Sequence, residues 1–113
     1  MSRGSTATAP LARAAPLFAA LGDPTRLALV GRLCEAGPAS TSRLAQGAAV
    51  TRQAVTKHLE VLAGAGLVRD ARVGRERVWE LRAARVADAR RALDDISRRW
   101  DDALDRLRAY VED

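Results

Sequence analysis

Between residues 83 and 113 apolar side chains return every seven positions, at Val86, Leu93, Trp100 and Leu107, with Ala89, Ile96, Ala103 and Tyr110 between them. No Gly or Pro interrupts the run. Both seam positions stay apolar throughout, which predicts one long amphipathic helix over 84–111, its stripe widened by Leu104 and Val111. A helix of about 27 residues spans ~40 Å, longer than the core it could cover in so short a chain. Part of the stripe should therefore meet a second copy. The expected contacts are Leu93, Ile96, Trp100, Leu104 and Leu107, with Leu17 and Phe18 of an earlier helix.

Upstream the pattern is shorter and more punctuated. Residues 1–13 are small and polar and are expected to be a flexible segment; residues 14–113 form a single domain. A short helix begins near Ala15–Pro16 and ends at Leu21. "GDPT" then offers Asp23 as a cap and Pro24 as the first position of a second helix, which closes at Gly37-Pro38. Leu27, Val30 and Cys34 share one face of it, with Leu29 and Leu33 beside them, and Cys34 reads as a small buried hydrophobe. "STSRLAQGAAV" is a short third helix capped by Ser40 or Thr41, with Leu44 and Ala45 inward. A tight turn leads to a fourth helix, capped by Thr51 and stopped at Gly64 and Gly66. Two alternating runs, Leu67–Val73 and Arg77–Arg82, flank "GRE" and predict a hairpin turning at Gly74, with Trp79 and Leu81 facing inward.

The expected fold is thus mainly α with a small β-hairpin: a winged helix-turn-helix with a long C-terminal dimerisation helix. Residues 40–64 are the helix-turn-helix and 67–82 the wing.

Charge sharpens this picture. Residues 1–82 hold 12 Lys/Arg against 6 Asp/Glu, whereas residues 83–113 hold 7 against 8. The basic surplus lies in the first three-quarters and points to a polyanion there. One Cys and one His exclude a disulfide framework and the usual Cys/His zinc sets within one chain. No Ser/His/Asp set or phosphate-cradling Gly loop is visible, so no enzyme and no cofactor is expected. No run approaches the ~18 apolar residues of a membrane span, and the N-terminus lacks the apolar core of a signal peptide. The expected location is the cytoplasm, with no membrane partner.

On a wheel at ~100° per residue, Arg52, Gln53, Thr56 and Lys57 fall within an arc of roughly 140°, with Glu60 among them. Ala54, Val55, His58, Leu59, Val61 and Leu62 take the other side. A polar helix face is ordinarily just solvated. Here, however, the donors gather at the N-terminal end, behind a short helix and a turn and ahead of a basic hairpin. Arg and Lys can address guanine, Gln can pair with adenine, and Thr can reach phosphate or a thymine methyl.

The strings "ALGDPTRLALVGRL", "VTRQAVTKHLEVLAGAGLV" and "RVGRERVWEL" resemble the ArsR family of small bacterial winged-helix repressors, over about residues 15–83. The resemblance implies a homodimer joined by its first and last helices, bound to an inverted-repeat operator in double-stranded DNA. It places Arg52, Gln53, Thr56 and Lys57, with Thr51 at the helix start, on bases or adjacent phosphates. Ser40, Thr41 and Ser42 would lie near the backbone, and Arg72, Arg75 and Arg77 on the wing would reach phosphates or the minor groove. His58 matches the family's common His and is read as packing or phosphate support.

Metal-sensing members carry a Cys-x-Cys box on the short helix or Asp/His pairs on the last. Here those helices read "TSRLAQG" and "ADARRALDDISRRWDDALDRLRAYVED", without Cys or His, and no metal is expected. A small-molecule effector is possible and unnamed by the sequence. The competing reading is a winged-helix protein-interaction module whose basic face binds DNA only non-specifically.

Overall fold

The computed structural model describes the backbone of residues 4–112 and the side chains of residues 11–112. In chain order the elements are α1 (Gly4–Leu21), α2 (Pro24–Ala36), β1 (Ala39–Ser40), α3 (Thr41–Gln46), α4 (Arg52–Gly64), β2 (Val68–Val73), β3 (Glu76–Leu81) and α5 (Ala83–Glu112).

Helix α1 is much longer than the sequence pattern indicated. The segment expected to be flexible is helical from Gly4 onward, and residues 1–3 lie outside the described residues. The physical reason is a face spaced by three. Leu11 packs against the core, Ala14, Leu17 and Ala20 are buried, and α1 lies along α5. Pro16 sits inside the helix on its exposed side, where one missing N–H is tolerated because tertiary packing holds the helix.

Asp23 caps α2 as expected, its carboxylate accepting from the Arg26 backbone N–H at 3.0 Å. The buried face, however, is the Leu29–Leu33 line, covered by α4 and β3. Leu27 is 57% exposed and Cys34 is exposed, which corrects the expectation of a buried thiol. Of the other apolar line only Val30 packs partly against the core, while Leu27 and Cys34 stay exposed.

Ser40 caps α3 and Thr51 caps α4, each side-chain oxygen accepting a backbone N–H at 3.1 Å. Helix α4 ends where Gly66 turns to φ 87, and the Leu67 N–H then donates back to the Leu62 carbonyl at 3.0 Å. This left-handed closure needs a residue without a Cβ. Gly74, at φ 63, makes the two-residue turn between β2 and β3, as such turns require.

Strand β1 was not foreseen. It pairs antiparallel with β3, Ala39 opposite Trp79 and Ser40 opposite Val78, giving a three-stranded sheet of order β1-β3-β2. The core gathers Leu17, Leu29, Leu44, Val55, Leu59, Leu62, Leu67, Val68 and Trp79, all essentially fully buried. Each is worth roughly 1.5–3 kcal/mol relative to exposure. Ala89 and Ala92 bind the first half of α5 to this core. Along its second half Leu93, Trp100, Leu104, Leu107, Tyr110 and Val111 are all at least half exposed.

Candidate nucleic-acid interface

The interface is built outward from the back of α4. Val55, Leu59 and Leu62, spaced by four and three, are buried, so the opposite side is held facing out. Arg52, Gln53 and Lys57 are exposed there, and Thr51 sits exposed at the cap. Thr56 is half-buried; its hydroxyl donates its one proton to the Arg52 carbonyl at 3.1 Å.

His58 lies on the supporting side. Its Nδ1 accepts from Arg26 Nη1 at 3.4 Å and stands 3.8 Å from the Asp23 carboxylate. Arg26 Nε also donates to the Ala20 carbonyl at 2.6 Å. The "DPTR" string thus ties the end of α1, the start of α2 and the middle of α4 together. The Asp23 carboxyl is held below its ordinary value chiefly by the Arg26 backbone N–H; desolvation, the next largest effect, opposes this, and the charges of Arg26 and His58 and the Thr25 N–H add smaller lowering contributions.

The spacing of α3 from α2 is set by Arg32. Its guanidinium donates to the carbonyls of Leu44 and Arg43 (3.0 Å to the latter), two acceptors in the last turn of α3. Gly47 leaves it room, since a Cβ there would lie 3.0 Å from Arg32 Nη1. Nothing in the sequence marked Arg32, an ordinary cation on a helix. Arg43 was missed as well: it is exposed on α3 beside Ser42.

Thr41 is where the structure departs from the sequence reading. It is 5% exposed; its hydroxyl accepts from Trp79 Nε1 at 2.8 Å and donates to the Arg77 carbonyl at 3.3 Å. A hydroxyl so engaged has no reach to a phosphate, so Thr41 is a core residue. Ser40 and Ser42, both half-buried, remain at the N-terminus of α3. On the wing, Arg72 and Arg75 are exposed beside the turn, Arg72 Nη1 lying 3.5 Å from the Arg75 carbonyl. Arg77 is held back: Nε donates to Asp70 at 2.6 Å, and the guanidinium stacks 4.3 Å over the Trp79 ring. Leu17, expected at a dimer contact, is 0% exposed in the chain's own core, which removes it from any such surface. Phe18 is partly buried and packs against that core.

Residues 21–71 match the model of a helix-turn-helix domain. The chain is 44% identical over 85 residues to the HTH-type transcriptional regulator Rv2034 of Mycobacterium tuberculosis, covering 75% of this chain and 76% of that protein. An ArsR-like transcriptional regulator from Rhodococcus sp. RHA1 is 37% identical and superposes with a TM-score of 0.69, covering 88% of this chain and 92% of the other. This chain belongs to the ArsR-like family of winged helix-turn-helix transcriptional regulators. The transcriptional repressor BigR from Xylella fastidiosa is 26% identical with a TM-score of 0.65, covering 83% and 92% of the two chains. Among the described residues of this family member, no helix is long and apolar enough to cross a membrane, and no group of three or more His, Cys, Asp or Glu is placed to hold a metal.

Proposed function

We propose that the protein is a cytoplasmic, homodimeric repressor that binds an inverted-repeat operator and is released by a non-metal signal. The observation that carries this is the front of α4: Arg52, Gln53 and Lys57 stand exposed on a helix held from behind by buried Val55, Leu59 and Leu62, with Arg72 and Arg75 exposed on the wing. Such a helix fits the major groove with its donors on base edges. Ser40, Ser42 and Thr51 take the adjoining phosphates, Thr56 offers its methyl to a thymine methyl, and Arg77 braces the wing.

Dimerisation is supported by the second half of α5. Trp100 is 67% exposed with Leu93, Leu104 and Leu107 beside it, an apolar stripe that a monomer leaves wet. Leu93, Ile96, Trp100, Leu104 and Leu107 make this contact, with Phe18 at its edge. Repression is favoured by the similarity to BigR, whose own name is that of a repressor.

The test is selection from a random DNA pool at near-physiological salt. The expected result is an inverted repeat bound at least ~10³ tighter than scrambled DNA. Flat enrichment, with all affinity lost on adding salt, would leave only phosphate attraction and favour the protein-interaction module instead.

A further inference from the structure

A groove of about 550 Å³ runs between α1 and α5, lined by Arg13 from α1 and by Arg85, Asp88, Arg91, Asp95 and Arg98 from α5. We infer that this groove binds a small anion bearing two or more carboxylate or phosphate groups, and that this anion is the effector.

The charge on the walls carries the inference. Four guanidinium groups face two carboxylates, an excess of positive charge in a stretch where residues 83–113 are otherwise net acidic. Each carboxylate is already divided. Asp88 serves both Arg85 (3.2 Å) and Arg91, while Asp95 serves Arg99 at 3.2 Å and Arg98 only at 3.8 Å. Arg13 has no carboxylate partner among the described residues. A guanidinium carries five donors and a carboxylate engages at most two in the usual fork, so most donors in the groove are open to a ligand. A ladder of surface ion pairs would be balanced and convex; this one is unbalanced and concave. Its volume falls within the range of small-molecule sites, and several forks converging on one space suit an anion with more than one charged group.

Position gives the groove a route to the interface. Groove residues and the apolar stripe of α5 lie on faces centred about 140° apart on the helical wheel, so a paired stripe leaves the groove open. Arg85 also reaches the end of α4: its Nε lies 3.0 Å from where a Cβ on Gly66 would stand. An anion that draws Arg85 toward Arg13 changes the packing against the closing turn of the recognition helix and the angle between α1 and α5.

The effector role rests on the operator-binding reading; the site itself does not. Titration calorimetry without DNA, at constant ionic strength, uses citrate and pyrophosphate as probes and acetate as the monovalent control. We expect saturable binding of citrate, pyrophosphate or both near one per chain, and none of acetate. Removing two guanidinium groups in Arg13→Ser/Arg91→Ser, both exposed in the structure, should weaken binding at least about tenfold. Arg98→Gln is the second variant should the first fail to fold. No saturable binding of either probe, or equal binding by the variants, overturns the site. A carboxylate-only or phosphate-only response supports it and names the source. With a selected operator in hand, the bound anion should change operator affinity about fivefold or more; an unchanged affinity overturns the effector role. Because calorimetry contains no DNA, a missing site leaves operator binding standing, and a missing operator leaves the site standing.

Discussion

The Trp79 indole N–H donates to the Thr41 hydroxyl across 2.8 Å, joining the start of α3 to the middle of β3. Both groups are buried. Thr41→Val keeps the shape and strands the indole donor, so unfolding in urea should show a loss of about 1–3 kcal/mol. Thr41→Ser should lose far less and bind DNA like the wild type. A selective fall in DNA affinity for the serine variant, at unchanged stability, would return Thr41 to the interface.

Alanine at Arg52 or Gln53 should cost roughly 1–3 kcal/mol of operator binding and relax preference at particular base pairs, because each side chain is free to fork onto a base edge. Alanine at Arg72 or Arg75 should instead weaken all sequences alike and lower the salt slope by about one. Competition binding against operator variants at several salt concentrations separates the two groups. Thermal melting should not distinguish any of these variants from the parent, since all four side chains are exposed.

Trp100→Glu should produce a folded monomer. The side chain is 67% exposed in the chain itself, so circular dichroism should be unchanged while sedimentation shows half the mass. Specific operator binding should collapse although Arg52 is intact, because each half-site alone is gripped weakly. A dimer surviving this change would sink the assignment of the stripe.

The Asp23 carboxyl is held below its ordinary value of 3.8 by the Arg26 N–H first. Its folded-state value is therefore lower than its unfolded one, and the charged form stabilises the fold. That contribution is complete above about the unfolded value and disappears as pH falls through the lowered folded value. Asp23→Asn, which still caps but does not titrate, should remove this part of the acid-side slope. Comparing wild-type and variant urea midpoints from neutral pH down past 3.8 measures it; parallel curves would show that Asp23 is not coupled to folding.

The helix caps were legible because they are local: Asp23, Thr51 and Gly66 each act within about one turn of the helix end they close. The stripe of α5 was legible because a seven-residue period survives any context. What the sequence hid depends on distant partners. Two residues of β1 carry no periodicity, and they become a strand only because Trp79 and Val78 lie opposite. Thr41 looked like its serine neighbours until its hydroxyl met a side chain 38 residues away. Cys34 was misplaced because α2 offers two apolar lines and the choice is made by α4 and β3. Leu17 was assigned to a partner copy when the same helix face was already filling its own core. The exposure of Arg52, Gln53 and Lys57 follows simply from the burial of Val55, Leu59 and Leu62 behind them, whereas Val61, expected on the dry side, is 47% exposed.

Strand β1 is two residues long, yet it fastens the hairpin to the chain just ahead of α3, and Thr41 repeats the fastening one residue later. The hairpin cannot tilt against the helices without tearing this seam. In a dimer, each half would therefore swing as one stiff jaw with its teeth at fixed spacing. Grip would be lost by opening the hinge between two jaws, with neither of them bending.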